Sequence, residues 1–145
     1  MAVHWEPYLN IELQPVGPDD LAQLEQEWGV KLPEEYKVLV AAYQGMAPIP
    51  DVFNVGPRST NVFNVLLTIK RHEGHESYSV RRIHEVLKPH IPKGIFPFAE
   101  TPGGESICFD YRANPTQPKI VLVTVETFIY PIADNLTDFL NKLHD

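Results

Sequence analysis

Residues 95–110 read Ile-Phe-Pro-Phe-Ala-Glu-Thr-Pro-Gly-Gly-Glu-Ser-Ile-Cys-Phe-Asp, two apolar runs on either side of a Pro-Gly-Gly turn. Pro102 fixes one backbone angle, and the two glycines after it tolerate positive φ, so the chain can reverse its direction here. Beyond the turn, Ile107 and Phe109 alternate with small or polar residues, a period of two that is typical of a half-buried strand. The stretch therefore predicts an antiparallel hairpin that turns at residues 102–104.

The length and composition of the chain are those of one globular domain, which we place over residues 1–145. With 43% hydrophobic and 21% charged residues, the chain has enough apolar surface for a core. Its one cysteine cannot form an internal disulfide, and the chain shows neither a signal-peptide pattern at its start nor an apolar run of about 18 residues. We therefore expect a cytoplasmic protein without a membrane segment.

Charge is unevenly distributed along the chain, whose formal net charge is −7. Residues 1–50 hold eight acids and two lysines, residues 51–93 hold four acids and seven bases, and residues 94–145 hold seven acids and three bases. Phosphates repel an acidic protein, so it binds nucleic acid poorly, but it suits a basic protein partner. Mild acidity can also serve solubility alone. We expect a monomer with a protein partner and no direct contact with nucleic acid or a membrane.

Two short amphipathic helices follow each other near the N-terminus. The first is predicted to begin at Pro18 and to end at Gly29, and the second to begin at Pro33 and to end at Gly45. The apolar side chains at helical spacing are Leu21, Leu24 and Trp28 in the first helix, and Tyr36, Leu39, Val40 and Tyr43 in the second. Residues 1–16 are expected to pack on the domain as an extended segment.

The rest of the pattern predicts further strands, loops and helices. These are a loop over 46–60, a core strand over 62–69, a loop over 70–79, a short helix over 83–87, a strand over 120–125 with 128–132 extending the sheet, and a C-terminal helix over 136–143 capped by Asp134 or Asn135. The residues predicted to be largely buried occupy the apolar positions of their elements: Trp28, Tyr36, Leu39, Phe63, Phe98, Phe109, Val121, Val123 and Phe139.

Three segments, in their order along the chain, resemble the SUKH superfamily, which includes yeast cell-wall assembly regulators and many bacterial toxin-immunity proteins. They are Trp-Gly-Val-Lys-Leu-Pro-Glu-Glu-Tyr at 28–36, the hairpin at 95–110, and the closing helix with its acid, aromatic and leucine. Gln44 stands where the family often has Asn, and the glycine after it is kept. The resemblance covers about residues 18–143 and implies an α+β single domain, a curved and mostly antiparallel sheet with helices packed on it.

The residues offer little support for metal or nucleophile chemistry. His72-Glu73-Gly74-His75-Glu76 is one residue short of the H-E-x-x-H motif, and its glycine disfavours the helix that this motif needs. We favour a solvated loop over a metal site there. Cys108 neighbours acids rather than bases, so we predict a strand residue and not a nucleophile. No cofactor is predicted, because the chain contains neither G-x-G-x-x-G nor a phosphate-binding G-K-[ST] loop.

Four carboxylates are the candidate site residues. Glu100, Glu105 and Asp110 flank the predicted hairpin, and Glu126 ends the strand expected to pair nearby. In the resembling family that strand usually carries an aromatic residue or histidine before its Glu; here it reads Val-Thr-Val-Glu, so only Glu126 carries over.

The resemblance implies a non-catalytic binding protein, most concretely an immunity protein that neutralises a cognate toxin, often a nuclease, by stoichiometric binding. We expect the four acids to contact that basic toxin. Two alternatives stay open. The first is a regulatory adaptor like the fungal cell-wall regulators. The second is a small hydrolase that uses Glu100, Glu105 or Asp110 for acid–base chemistry.

Overall fold

A computed structural model describes residues 3–145, and their elements are arranged around one antiparallel sheet. In chain order the elements are β1 His4–Pro7, α1 Pro18–Trp28, α2 Glu34–Tyr43, β2 Met46–Ile49, β3 Val52–Val55, β4 Ser59–Val62, β5 Val65–Leu66, a 3₁₀ turn Glu76–Tyr78, α3 Val80–Leu87, a 3₁₀ turn Lys88–His90, β6 Ile95–Glu100, β7 Ser106–Asp110, β8 Lys119–Val123, β9 Ile129–Ala133 and α4 Leu136–Asn141. The main sheet has the order β5-β6-β7-β8-β9, and all its pairs are antiparallel. The predicted α+β class is confirmed.

The hairpin over 95–110 is confirmed as β6 and β7. Glu100 pairs with Ser106 beside the turn, and Ile95 pairs with Asp110 at the far end. The register shifts between Pro97 and Ala99, a bulge that bends the strand. Gly104 has a φ of 82°, which a turn of this shape requires and which glycine adopts at little cost.

The prediction that β7 is half-buried is wrong, because both faces of this strand are covered. One face carries Ile107 and Phe109 into the main core, which holds most of the aromatic side chains. The other face carries Cys108 into a second cluster with Ile95, Val121 and Val123. Leu87 at the end of α3 and Ile91 after it pack on this second cluster. A central strand between two apolar layers loses the alternation of solvent exposure that its sequence suggests.

The residues predicted to begin or end helices lie at the helix ends in the structure. Gly29 caps α1 in the left-handed conformation, with a φ of 71°. Asn135 is the N-cap of α4, since its side chain accepts a hydrogen bond from the Asp138 amide. Gly45 follows α2 and lies at a junction: its amide donates to the Leu66 carbonyl at 2.7 Å, and its carbonyl accepts from the Leu9 amide at 3.0 Å. These bonds attach the N-terminal segment to the sheet.

Two predicted elements differ in the structure. The predicted loop over 46–60 contains β2, which pairs with β1, and the hairpin of β3 and β4. The predicted core strand over 62–69 is split at Phe63 and Asn64, with β4 in the small hairpin and β5 in the main sheet. Its side chains are nevertheless mostly buried, which is why the run is apolar.

Seven of the nine residues predicted to be buried are confirmed: Tyr36, Phe63, Phe98, Phe109, Val121, Val123 and Phe139. Trp28 and Leu39 are partly buried and so less completely covered than the other seven, and both pack against the rim of the core. Within residues 3–145, no helix is both long and apolar enough to cross a membrane.

Candidate functional site

Three of the four candidate carboxylates lie at one end of the main sheet. Ser106 pairs with Val123, so the turn after β6 and the turn after β8 are neighbours. Glu100 ends β6 and Glu105 lies in the turn that follows it, whereas Glu126 lies in the turn after β8 and not at the end of a strand as predicted. Asp110 lies at the opposite end of β7, about 13 Å away along the strand at about 3.3 Å per residue. The structure therefore brings Glu100, Glu105 and Glu126 to one end and separates Asp110 from them.

Glu105 is held in place by its own turn and by the β4 strand. The Glu105 carbonyl accepts from the Thr101 amide at 2.9 Å, and the Glu105 amide donates to the Thr101 hydroxyl at 3.1 Å. Its carboxylate accepts a hydrogen bond from Asn61 Nδ2 at 2.6 Å. An acid fixed in this way presents its charge without first losing side-chain freedom.

Glu100 has a different environment. It pairs with Ser106 and shares that residue's face of the sheet, whereas the Glu105 carboxylate turns toward Asn61. Burial raises the pKa of the Glu100 carboxyl, since removing the anion from water disfavours the charged form. Glu100 thus contributes less readily to a negative surface than Glu105 and Glu126 do.

Asp110 forms an intramolecular ion pair with Arg112. Its carboxylate accepts from Arg112 Nη2 at 2.9 Å, from Arg112 Nε at 3.0 Å and from the Arg112 amide at 2.9 Å. Partial burial alone would raise the pKa of Asp110, but these bonds and the Arg112 charge outweigh it, so the pKa lies below its ordinary value. The pair neutralises this acid.

The turn between β8 and β9, together with the start of β9, exposes apolar side chains near Glu126 in the sequence. The exposed fractions are 67% for Val125, 62% for Phe128 and 45% for Tyr130. Side chains of this size are unfavourable in water when they stand together on one surface. The sequence pattern assigned Phe128 to the sheet and did not predict this surface. The pattern that could have indicated it is the position of Val125, Phe128 and Tyr130 on either side of Glu126.

The backbone of this turn is also unusual. Thr127 has a φ of 69°, a left-handed conformation that is a genuine outlier for a β-branched residue. Three hydrogen bonds span the turn: the Thr124 amide donates to the Phe128 carbonyl at 2.9 Å, the Phe128 amide donates to the Thr124 hydroxyl at 3.0 Å, and the Thr127 amide donates to the Thr124 carbonyl at 2.8 Å. Strained, well-braced turns of this kind occur disproportionately at functional sites.

A groove of about 500 Å³ connects the two turns. Asn61 and Glu105 line one side, and Thr124 and Tyr130 line the other. We call the surface formed by Glu105, Val125, Glu126, Phe128 and Tyr130 the acidic–aromatic end. It combines negative charge with exposed apolar and aromatic side chains, a composition suited to contact with another protein.

The other motifs of the sequence are placed differently. His72 is buried rather than solvated, and its Nε2 accepts from the Gln14 amide at 2.9 Å, so the prediction of a solvated loop is wrong at this residue. Among residues 3–145, no group of three or more His, Cys, Asp and Glu side chains is arranged to hold a metal ion. Burial raises the pKa of the Cys108 thiol, which opposes formation of a nucleophilic thiolate.

Comparison with known families agrees with the geometry of the fold. The model of the SMI1 / KNR4 family (SUKH-1) matches residues 15–142, nearly the whole chain. A search of curated proteins found no match.

Proposed function

We propose that this chain, which belongs to the SMI1 / KNR4 family (SUKH-1), is an immunity protein that neutralises a cognate bacterial toxin by binding it one-to-one. The observation that carries the proposal is the acidic–aromatic end, where Phe128 and Tyr130 are exposed beside Glu105 and Glu126. The proposed partner is a basic toxin such as a nuclease. We propose that the protein acts as a monomer in the cytoplasm, without a cofactor.

The mechanism is occlusion of the toxin's active site. A nuclease presents a positive surface to the phosphates of its substrate, and the carboxylates of Glu105 and Glu126 offer it negative charge in their place. Phe128 and Tyr130 supply large apolar contacts, the kind of residue that contributes most of the binding energy at protein interfaces. The charges bring the partners together quickly, and the aromatic contacts slow their separation.

The environments of the acids favour binding over hydrolysis. An acid–base pair needs two carboxyl groups that face one substrate position with pKa values set apart. Glu105 is bonded to Asn61, and Asp110 is bonded to Arg112 at the other end of the strand. Glu100 shares neither environment. Asp110 is thus separated from the other two acids, and the Glu105 carboxylate is bonded to Asn61 while Glu100 lies on the face of Ser106, which supports a non-catalytic role.

The test is binding to a toxin encoded beside the gene for this protein, measured by surface plasmon resonance with a catalytically inactive toxin. We expect a one-to-one complex with an affinity in the range of known nuclease–immunity pairs, on the order of 10⁻¹³ M. Phe128→Ala should weaken binding by about tenfold or more, chiefly through faster dissociation. The double variant Glu105→Gln, Glu126→Gln should slow association.

The matched control is Glu73→Gln, which removes one charge from an exposed acid in the loop before the Glu76–Tyr78 turn. This control should leave both rate constants within about twofold of the parent protein. If the control and the double variant changed the association rate equally, the toxin would not bind at the acidic–aromatic end as proposed. Absence of binding to any neighbouring toxin would contradict the immunity function. A hydrolase would instead lose turnover in Glu105→Gln while its binding stayed unchanged.

A further inference from the structure

A second recess lies at the end of the main sheet away from the acidic–aromatic end. It has a volume of about 430 Å³ and is formed by the end of α1, the α3 helix and the start of β6. Strand β6 begins at Ile95 beside this recess and ends at Glu100 beside the turn that carries Glu105. We call the recess the basic–aromatic pocket and define it by Trp28, His84, Lys88, Lys93 and Phe96. The volume lies in the range of ordinary ligand pockets.

One wall of this pocket is aromatic. Trp28 stacks on Phe96 with ring centroids 4.7 Å apart and an angle of 21° between the rings. His84 packs against both, at 5.5 Å from Trp28 and 5.0 Å from Phe96. Burial and the neighbouring Lys88 lower the pKa of His84, so its imidazole is neutral at pH 7 and belongs to the apolar wall. Trp28 is half-buried and so keeps part of its indole accessible.

The rim of the pocket is positively charged, in contrast to a chain whose net charge is −7. Lys88 and Lys93 are exposed, and neither forms an ion pair with another described residue. The acid on the rim is Glu27, and its carboxylate is bonded to Arg81 at 2.8 and 3.1 Å. The nearby Arg112 is likewise neutralised by Asp110. Two uncompensated lysines therefore face an apolar cavity.

The ends of two helices affect the electrostatic potential inside the pocket. Helices α1 and α3 both end at the pocket, at Trp28 and at Leu87. Helix C-termini carry partial negative charge, so they oppose a compact anion such as phosphate inside the cavity and favour cations there. Attraction of an anion to this region therefore depends on the lysine side chains, while the apolar and aromatic lining of the cavity suits an apolar group.

We propose that the basic–aromatic pocket binds an acidic peptide segment of a second partner protein, in which one aromatic or branched apolar side chain is flanked by carboxylates. The apolar side chain enters the cavity against Trp28 and Phe96, and the flanking carboxylates pair with Lys88 and Lys93. The inference is independent of the immunity function, because the two surfaces lie at opposite ends of the sheet. Under this proposal one end of the sheet binds a basic partner and the other end binds an acidic one.

The test uses an acetylated and amidated peptide with one central Phe and two Glu residues on each side. Isothermal titration calorimetry should show saturable one-to-one binding with a dissociation constant on the order of 0.1 mM. Replacing the four Glu by Gln, or the Phe by Ala, should each weaken binding by about tenfold or more. Lys93→Glu should do the same, and the double variant Lys88→Glu, Lys93→Glu should abolish measurable binding.

The matched control is Arg58→Glu, which reverses an exposed charge in the turn between β3 and β4, away from the pocket. It should leave peptide binding unchanged, and all variants should keep the circular dichroism spectrum of the parent protein. Three results would overturn the proposal: no saturation with the Phe peptide, equal binding of the Ala peptide, or displacement of the peptide by an equal concentration of inorganic phosphate. The lysine variants should still bind the toxin, which separates this outcome from failure of the immunity function.

Discussion

Single aromatic side chains connect the helices of this protein to its sheet. Phe98 stacks on Phe109 with ring centroids 4.3 Å apart, and Tyr36 of α2 meets Phe109 edge-on at 5.0 Å. All three side chains are fully buried. Because the bulge in β6 lies beside Phe98, this ring also marks the point where the hairpin bends over the core. The packing of the two phenylalanines therefore affects both the sheet and the helices.

We predict that Phe98→Ala and Phe109→Ala each lower the free energy of unfolding by about 3–5 kcal/mol, because each deletion leaves a cavity in a closely packed core. Urea denaturation followed by circular dichroism measures the change. The control is Phe128→Ala, an equally large deletion at an exposed site, which should change the same quantity by less than about 0.5 kcal/mol. Losses below about 1 kcal/mol at both buried positions would show that the strand faces are assigned wrongly.

Glu100 gives a prediction about pH. Burial raises the pKa of its carboxyl in the folded state, so the folded protein binds this proton more tightly than the unfolded chain does. The folded state therefore loses stability as pH rises from the unfolded pKa through the folded pKa, and this loss persists at neutral pH. We predict that Glu100→Gln raises the free energy of unfolding at pH 7, and that the difference from the parent protein shrinks as pH falls toward about 4.

Urea denaturation at a series of pH values measures this effect. Glu73→Gln serves as the control, because that acid is exposed; its difference from the parent protein should stay near zero throughout. A Glu100→Gln variant that is less stable than the parent protein at pH 7 would show that the charged carboxylate has a stabilising partner in solution.

Gly45, which joins α2 to β2, lies in a closely packed place. Gly45 has a φ of 74°, and a Cβ atom added there would lie 2.9 Å from Leu13 Cδ1 and 3.3 Å from Leu9 Cδ1. Gly29, which ends α1, has a similar φ of 71° but open space around its Cα. The two glycines therefore share a backbone conformation and differ in packing.

We predict that Gly29→Ala lowers the free energy of unfolding by about 1 kcal/mol, the cost of a left-handed conformation for a residue with a Cβ. Gly45→Ala should lower it by about 2–4 kcal/mol, because overpacking against Leu9 and Leu13 adds to that cost. Thermal or urea denaturation of the two variants tests the difference. Equal losses would indicate that the N-terminal segment moves away from Gly45 without cost.

The elements that the sequence predicted correctly are those with local signals. Helix α1 begins with Pro18 and α2 directly follows Pro33, both end near glycine, and the hairpin of β6 and β7 turns at Pro-Gly-Gly. The region 46–60 is harder to predict: Gly56-Pro57 marks the turn between β3 and β4, but each of these strands has only four residues. Proline lacks an amide donor and is confined to edge positions of sheets, and Pro48 lies in a two-stranded pairing with Trp5 that no local pattern reveals. Tertiary pairing, rather than propensity, forms those strands.

The break in the run 62–69 has a similar cause. Phe63 and Val65 are both buried, so hydrophobicity continues across the residues where the chain passes from the β3–β4 hairpin to the main sheet. A periodic pattern reports burial, and it does not report which sheet a strand joins. The partly buried Trp28 shows the converse: an apolar residue at helical spacing that packs on the rim of the core and also lines a pocket.

At the scale of the whole molecule, the sequence placed three acids at one hairpin and Glu126 on a nearby strand, but it did not show that Asp110 lies at the other end of the sheet from the rest. Glu105 precedes β7, and Asp110 ends it, so the length of the strand separates them. The sequence also did not predict the exposure of Phe128, because a phenylalanine near a strand end can be either buried or exposed and the local pattern does not distinguish the two. Only the assembled sheet shows that aromatic side chains and acids share one end.

The separation of the two ends gives a last prediction, about long-range electrostatics. The double variant Lys88→Glu, Lys93→Glu changes the net charge from −7 to −11, because each exchange removes one positive charge and adds one negative charge. These residues lie away from the acidic–aromatic end, so they act on a basic toxin only through the field of the whole molecule. That field extends about 30 Å at 0.01 M salt and about 8 Å at 0.15 M salt.

We therefore predict that this variant associates with the toxin faster than the parent protein at 0.01 M salt and at the same rate at 0.15 M salt. The Glu105→Gln, Glu126→Gln variant should associate more slowly at both concentrations, because the two carboxylates that it lacks are the ones proposed to contact the toxin directly. Stopped-flow measurement of association at a series of salt concentrations tests both statements. An equal acceleration at high and low salt would mean that Lys88 and Lys93 themselves contact the toxin. In that case the toxin covers the pocket end of the sheet, and the assignment of the toxin to the acidic–aromatic end is wrong.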